Sequence, residues 1–167
     1  YPDTDCIELR EALAEKYGLR KENVLCAVGS DQLIDYLSRA FLSEGDRILV
    51  PEPSFSMYSL SAVINHGAAA AFPLGEDFAY PVETILEWCA SVRPKILYLC
   101  TPNNPTGNGI PEADLRRLIR EAGCIVALDE AYGEFCGENH PAWIREFPHL
   151  VILKTFSKAY GLAGIRT

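Results

Sequence analysis

Leu150-Val151-Ile152-Leu153-Lys154-Thr155-Phe156-Ser157-Lys158 runs from four apolar residues into a lysine and continues as Ala159-Tyr160-Gly161-Leu162-Ala163-Gly164-Ile165-Arg166. The apolar four read as a buried strand, and Lys158 leaves its end in a segment of small residues and glycines. Lysine is the side chain that forms a Schiff base with a carbonyl group once its surroundings lower its pKa. Arg166, with the hydroxyls of Thr155 and Ser157, suits a phosphate: a planar donor fork and two hydroxyl donors. A lysine after a strand is most often a solvated loop residue. The reading therefore depends on what the other strand ends carry.

Working back along the chain, apolar runs at Ile125–Leu128, Ile96–Cys100, Ala68–Leu74, Arg47–Val50 and Val24–Val28 predict further strands. Between them, helical periodicity covers Asp5–Tyr17, Leu33–Leu42, Phe55–Ile64, Val82–Ser91 and Glu112–Ala122. Gly18, Gly45-Asp46 and Pro51-Glu52-Pro53 punctuate these elements, and a short turn is expected near Trp143. Strands alternating with helices at this spacing predict right-handed crossovers and a mostly parallel sheet. Near-continuous apolar strands are what a sheet covered on both faces requires. The fold class is α/β, a three-layer sandwich, in one domain without repeats or linkers.

The 167 residues suffice for one sizeable core. The balance of 15 basic against 23 acidic residues, with no basic run, argues against nucleic acid as a partner. No apolar stretch approaches the roughly 20 residues of a membrane span. The opening residues, Tyr1 to Asp5, do not resemble a secretory signal. Six cysteines at 6, 26, 89, 100, 124 and 136 form no Cys-x-x-Cys, and the three histidines show no ligand spacing. Neither a disulfide framework nor a metal site is expected, and reduced thiols point to a cytoplasmic protein.

Open α/β sheets bind ligands beyond the carboxyl ends of their strands, and the unusual polar residues of this chain lie there. Gly29-Ser30-Asp31-Gln32 opens a helix, where free N–H groups and the helix dipole favour an anion; a plain turn with a capping Ser or Asp would look the same. Phe55 could stack on a planar ring or be an ordinary core aromatic. Asn104, between Pro102, Pro105 and Gly107, is held in a rigid loop where its amide could donate to a phenolate, or serve only the turn. Asp129 follows four apolar residues, and a buried carboxylate needs a cationic or N–H partner. A protonated pyridine nitrogen would be one; a cap or structural ion pair would be another. Tyr132, three residues on, could bring its hydroxyl to the same place. Together these residues supply an anion cradle, a stacking aromatic, an amide donor, a ring-nitrogen carboxylate and a Schiff-base lysine. That inventory matches pyridoxal 5′-phosphate, an electron sink whose ring nitrogen an acidic residue keeps protonated.

The motifs Pro102-Asn103-Asn104-Pro105-Thr106-Gly107, Asp129-Glu130-Ala131-Tyr132 and Ser157–Arg166 resemble those of the fold-type I pyridoxal-phosphate-dependent aminotransferases of class I/II. Within that superfamily the chain, with its opening Tyr1-Pro2-Asp3 and its Gly29-Ser30-Asp31 turn, is most similar to the histidinol-phosphate aminotransferase branch. The resemblance implies roles. Lys158 would carry the cofactor and then move the proton between the substrate Cα and the cofactor C4′. Asp129 would pair with the ring nitrogen, Asn104 and Tyr132 would contact the phenolic oxygen, and Phe55 would stack on the ring. Thr155, Ser157 and Arg166 would hold the phosphate with backbone N–H groups of Ser30 and Asp31. Tyr1 would reach the phosphate of the neighbouring subunit in a homodimer. Many relatives have Tyr where Phe55 stands and Ser where Thr155 stands.

The same resemblance implies that residues 1–167 are an incomplete large domain. An N-terminal arm, a C-terminal small domain with the carboxylate-binding arginine, and a strand following Arg166 between the first and last strands would lie outside it. The isolated piece is expected to show little activity and to expose strand edges. The reaction implied is amino transfer, in histidine biosynthesis, from glutamate to a phosphorylated imidazole keto compound. The alternatives are a decarboxylase of a phosphorylated amino acid, similar to threonine-phosphate decarboxylase, a carbon–sulfur lyase, or a non-catalytic regulatory domain. The presence of Lys158 argues against the last.

Overall fold

The computed structural model describes residues 3–137 and 139–165. Helix α1, Ile7–Tyr17, starts where the Asp3 carboxylate accepts the Ile7 N–H at 2.7 Å. It ends at Gly18, whose φ of 64° lets its N–H turn back to the carbonyls of Ala14 and Glu15. The elements that follow are α2 (Gly29–Phe41), β1 (Arg47–Glu52), α3 (Met57–Ile64), β2 (Ala68–Pro73), α4 (Val82–Val92), β3 (Ile96–Cys100), α5 (Glu112–Glu121), β4 (Ile125–Asp129), α6 (Gly133–Cys136) and β5 (Leu150–Leu153). Trp143 lies in a 3₁₀ turn, Pro141–Arg145, as its surroundings suggested. Among the described residues no helix is long and apolar enough to cross a membrane.

The five strands form one parallel sheet in the order β2-β1-β3-β4-β5. Alternation along each strand sends successive side chains to opposite faces. Leu49, Leu97, Leu99, Val126 and Leu128 pack with Ile85 of α4 and Leu115, Leu118 and Ile119 of α5. Ile48, Val50, Ile96, Tyr98, Ala127 and Leu153 pack on the other face, with Ile34 and Leu37 of α2 and Tyr58 and Ala62 of α3. Both faces are therefore covered, and the α/β sandwich expected from the apolar runs is the observed fold. The exposed side of α5 is laced by Arg116 to Glu112 and Glu146, and by Arg117 to Glu83 and Glu121.

One expected strand does not form. Val24–Val28 is extended, with Val24 at φ −115° and ψ 127°, but it pairs with no strand among the described residues. The Val24 carbonyl accepts the Arg10 Nε–H instead, and Leu25 is 64% exposed. An apolar run can pair only if a neighbouring strand offers its edge, and none does. Between this segment and β5 lies an apolar groove of about 660 Å³, lined by Leu25, Leu33, Leu37, Val151 and Leu153 among others.

Candidate active site

Strands β3 and β4 end in register, Cys100 opposite Asp129. Beyond them a cavity of about 240 Å³ is lined by residues from five elements or their flanking loops. Ser30 and Asp31 come from the start of α2, Phe55 and Tyr58 from the approach and first turn of α3, and Asn104 from the loop after β3. Asp129, Ala131 and Tyr132 come from the end of β4, and Thr155, Ser157, Lys158 and Ala163 from the segment after β5. All nine described residues picked out from the sequence thus meet in one place. Tyr1 and Arg166, the other two, lie outside the described residues.

Each arm of the cavity is built locally. Gly29 takes a φ of 77° at the entry to α2, a conformation that suits glycine, and the Gln32 side chain accepts the Val28 N–H at 2.7 Å. The first-turn N–H groups of Ser30 and Asp31 have no intrahelical carbonyl to bond, so this end of α2 presents donors to the cavity. The loop after β3 is held by Asn103, which is 2% exposed. Its Nδ2 donates to the Pro53 carbonyl at 3.0 Å and to Thr106 Oγ1 at 2.7 Å, and its Oδ1 accepts the Ser54 hydroxyl at 2.7 Å. The peptide bonds Glu52–Pro53, Thr101–Pro102 and Asn104–Pro105 are cis. After β5 the Thr155 hydroxyl oxygen accepts the Ser157 N–H at 3.1 Å, and a turn bonds the Gly161 N–H to the Lys158 carbonyl.

Asp129 forms the floor, 3% exposed. Oδ1 accepts the Ala131 N–H at 2.9 Å, and Oδ2 accepts the Tyr58 hydroxyl at 2.7 Å. Burial pushes its carboxyl above the ordinary Asp range. The two hydrogen bonds pull it back, and the charges of Asp31 and Glu130 push it further up. No lysine, arginine or histidine forms a salt bridge with it among the described residues. At the exposed side, Lys158 Nζ stands 5.3 Å from the centre of the Tyr132 ring. The site therefore has an exposed amine, a buried carboxylate without a protein cation, and a helix N-terminus. A ring with a cationic nitrogen, an aldehyde and an anionic substituent fits that set of donors and acceptors.

Sequence reasoning missed two residues here. The helical periodicity places Tyr58 only within a helix, although it lies three residues beyond Phe55. Asn103 was passed over for Asn104, its neighbour in the same loop. A polar residue three positions after a candidate stacking aromatic, on the same helical face, was the available signal for Tyr58.

Comparisons with known proteins agree with this geometry. The family described as aminotransferase class I and II matches residues 1–167. Histidinol-phosphate aminotransferase of Ruminiclostridium cellulolyticum is 44% identical over 169 residues, covering 99% of this chain and 47% of the relative. That of Pyrococcus furiosus is 46% identical over 166 residues, covering 99% and 48%. The crystal structure of histidinol-phosphate aminotransferase from Sinorhizobium meliloti, in complex with pyridoxal 5′-phosphate, superposes with a TM-score of 0.87 at 27% identity. It is covered to 46%, against 99% of this chain. L-threonine-O-3-phosphate decarboxylase from Porphyromonas gingivalis superposes with a TM-score of 0.86 at 30% identity, covering 99% of this chain and 49% of that one. The chain spans about half the length of the curated relatives it matches. With its sheet, its strand-end cavity and a match along its whole length, the chain belongs to the aminotransferase class I and II family.

Proposed function

We propose that this chain is the greater part of the cofactor-binding large domain of a pyridoxal-phosphate-dependent aminotransferase. It would move an amino group from glutamate to a phosphorylated imidazole keto compound, the histidinol-phosphate type of reaction, as a cytoplasmic homodimer. The observation that carries the reading is Asp129, a carboxylate 3% exposed, held by two donors and in salt-bridge contact with no cation among the described residues. A buried carboxylate calls for a cationic partner, and a protonated pyridine nitrogen in the adjoining cavity supplies one. When bound, the cofactor provides the electron sink that acidifies a substrate Cα–H.

The chain's own residues divide the remaining work. Lys158 Nζ would be the amine that holds the cofactor by its aldehyde, and the base that takes and returns the proton at the substrate Cα. Asn104 and Tyr132, which line the cavity, would hold a phenolic oxygen with an amide and a phenol, and Phe55, also in the lining, would cover the ring. Ser30, Asp31, Thr155 and Ser157, which line the cavity, would offer N–H groups and hydroxyls to a phosphate, and the family resemblance adds Arg166 and the neighbouring subunit's Tyr1 as donors. Relatives of about twice this length support a domain reading in which an N-terminal arm and a C-terminal small domain complete the enzyme. The same reading places one more strand in the groove between Val24–Val28 and β5.

The test is covalent trapping. Protein from the full reading frame, mixed with pyridoxal 5′-phosphate and reduced with borohydride, should carry the adduct on Lys158, and Lys158→Ala should carry none. An adduct of equal yield on another lysine in Lys158→Ala would sink the assignment. The similarity to L-threonine-O-3-phosphate decarboxylase supports a second reading, decarboxylation of a phosphorylated amino acid. Product analysis separates the two: a keto acid formed from glutamate supports transfer, and carbon dioxide supports decarboxylation.

A further inference from the structure

The Tyr58 ring is fully buried and stacks on Tyr98 of β3, with ring centres 4.5 Å apart and planes 18° from parallel. Phe55 meets its edge at 5.7 Å. Packed against two aromatic rings and fully buried, the ring has little freedom, and its hydroxyl reaches Asp129 Oδ2 at 2.7 Å. Burial, and then the Asp129 charge, push the Tyr58 phenol well above its ordinary range. The hydroxyl thus stays protonated and donates wherever Asp129 is ionised. The groups that act on or surround Asp129 are Asp31 of α2, Glu130 beside it, Cys100 and Tyr98 of β3, Tyr80 before α4, and Tyr132 and Lys158 around the cavity. Tyr58 gives this carboxylate a side-chain donor, and Ala131 gives it a backbone one.

We propose that Tyr58 is a positioning residue for the cofactor site: its hydroxyl holds the Asp129 carboxylate ionised and aimed at a cationic ring nitrogen in the cavity. The proposal rests on the cofactor reading above. Two donors, one on each oxygen of the carboxylate, fix its orientation and leave further lone pairs for the cavity. A donor to the charged form also opposes the burial that would otherwise protonate it. Without the hydroxyl, Asp129 binds a proton more tightly, so its carboxylate form is lost at a higher pH as the solution is acidified.

Protein from the full reading frame, stripped of cofactor, is titrated with pyridoxine 5′-phosphate, an alcohol that cannot condense with Lys158. Tyr58→Phe keeps the ring stack and removes the donor. It should weaken binding about tenfold, the scale of one hydrogen bond to a charged group. The acid limb of binding should move up by about one pH unit, the equivalent of the same tenfold change. The ligand's own titrations are common to both proteins and cancel. Tyr98→Phe, which takes a hydroxyl from the same stack without touching the Asp129 bond, should change affinity less than about twofold. In an Asp129→Asn background Tyr58→Phe should likewise add less than about twofold, because the group it acts through is gone. A carbon-13 titration of the cofactor-free protein should place the Asp129 midpoint higher in Tyr58→Phe than in wild type.

Normal binding with an unshifted limb in Tyr58→Phe would overturn the positioning role alone. So would an equal shift in Tyr98→Phe, additive losses in the double variant, or equal carboxyl midpoints. Failure of the wild-type protein to bind either pyridoxine or pyridoxal phosphate would overturn the cofactor reading and this role with it.

Discussion

The Asn103 amide bridges two loops, its Nδ2 donating to the Pro53 carbonyl at 3.0 Å. The bond ties the loop after β3 to the loop after β1, and Ser54, Thr106 and the Gly107 N–H converge on the same residue. Asn104 enters the cavity because its neighbour is fastened this way. Asn103→Ala leaves buried or half-buried partners unsatisfied, so a loss of about 2–3 kcal/mol in unfolding free energy is expected. Denaturant melts measure it. Affinity for pyridoxine 5′-phosphate should fall as well, since Asn104 loses its support. Asn103→Asp keeps the acceptor for Ser54 but not the donors to Pro53 and Thr106, and should recover only part of the loss.

Behind the Tyr132 loop lies a buried ionic group. Glu130 is fully buried and accepts from His140 Nδ1 at 2.6 Å, the His140 N–H at 3.1 Å and Lys154 Nζ at 3.2 Å. Lys154 also meets Glu134 at 2.8 Å. Burial pulls the Lys154 amine down, but its bond to Glu134 and the charge on Glu130 outweigh that and leave it above the ordinary range. A raised lysine contributes stability that is fully present below the unfolded value, about 10.4, and is lost as pH rises through the folded one. Wild-type melting temperature should therefore fall on the alkaline side, and Lys154→Met should lack that part of the fall. At neutral pH Lys154→Met should be less stable by about 3 kcal/mol, because Glu130 stays buried with one cation fewer. Thermal melts across the pH range read both effects.

The sheet was legible because each of its strands is a short apolar run between helical periods, and a parallel sheet covered on both faces asks for that pattern. Val24–Val28 has the same composition and pairs with no strand among the described residues, since pairing depends on a neighbour that composition does not reveal. In the site, residues with distinctive chemistry at strand ends were readable: Lys158, Asp129 and Asn104 announce themselves by type and place. Tyr58 and Asn103 were not, because they act through Asp129 and the loop backbone, and those contacts span 71 and 50 residues of sequence. Such long-range hydrogen bonds leave little local signature: the three-residue step from Phe55 to Tyr58 is a spacing that many helices share.

Asp129 sets binding against stability. In the cofactor-free protein its carboxylate is buried without a salt-bridging cation among the described residues, and its raised pKa means that the folded state holds the proton more tightly than the unfolded chain. A raised acid gives stability at low pH that is lost as pH climbs through the folded value, so at neutral pH the charged group is a cost. Asp129→Asn removes the charge, and its side-chain oxygen can still accept the Ala131 N–H. The cofactor-free variant should therefore be more stable than wild type at pH 7 by about 1–2 kcal/mol, the scale of a poorly compensated buried group. The difference should shrink or reverse toward pH 4, as wild-type Asp129 takes up its proton. Affinity for pyridoxine 5′-phosphate should move the opposite way, falling about thirtyfold or more, because a cationic ring nitrogen loses its buried counter-charge. Melts at the two pH values together with a ligand titration decide it. An Asp129→Asn protein that is less stable at pH 7, yet binds the phosphate ester as wild type does, would mean that the carboxylate holds the fold together and is not kept for a ligand.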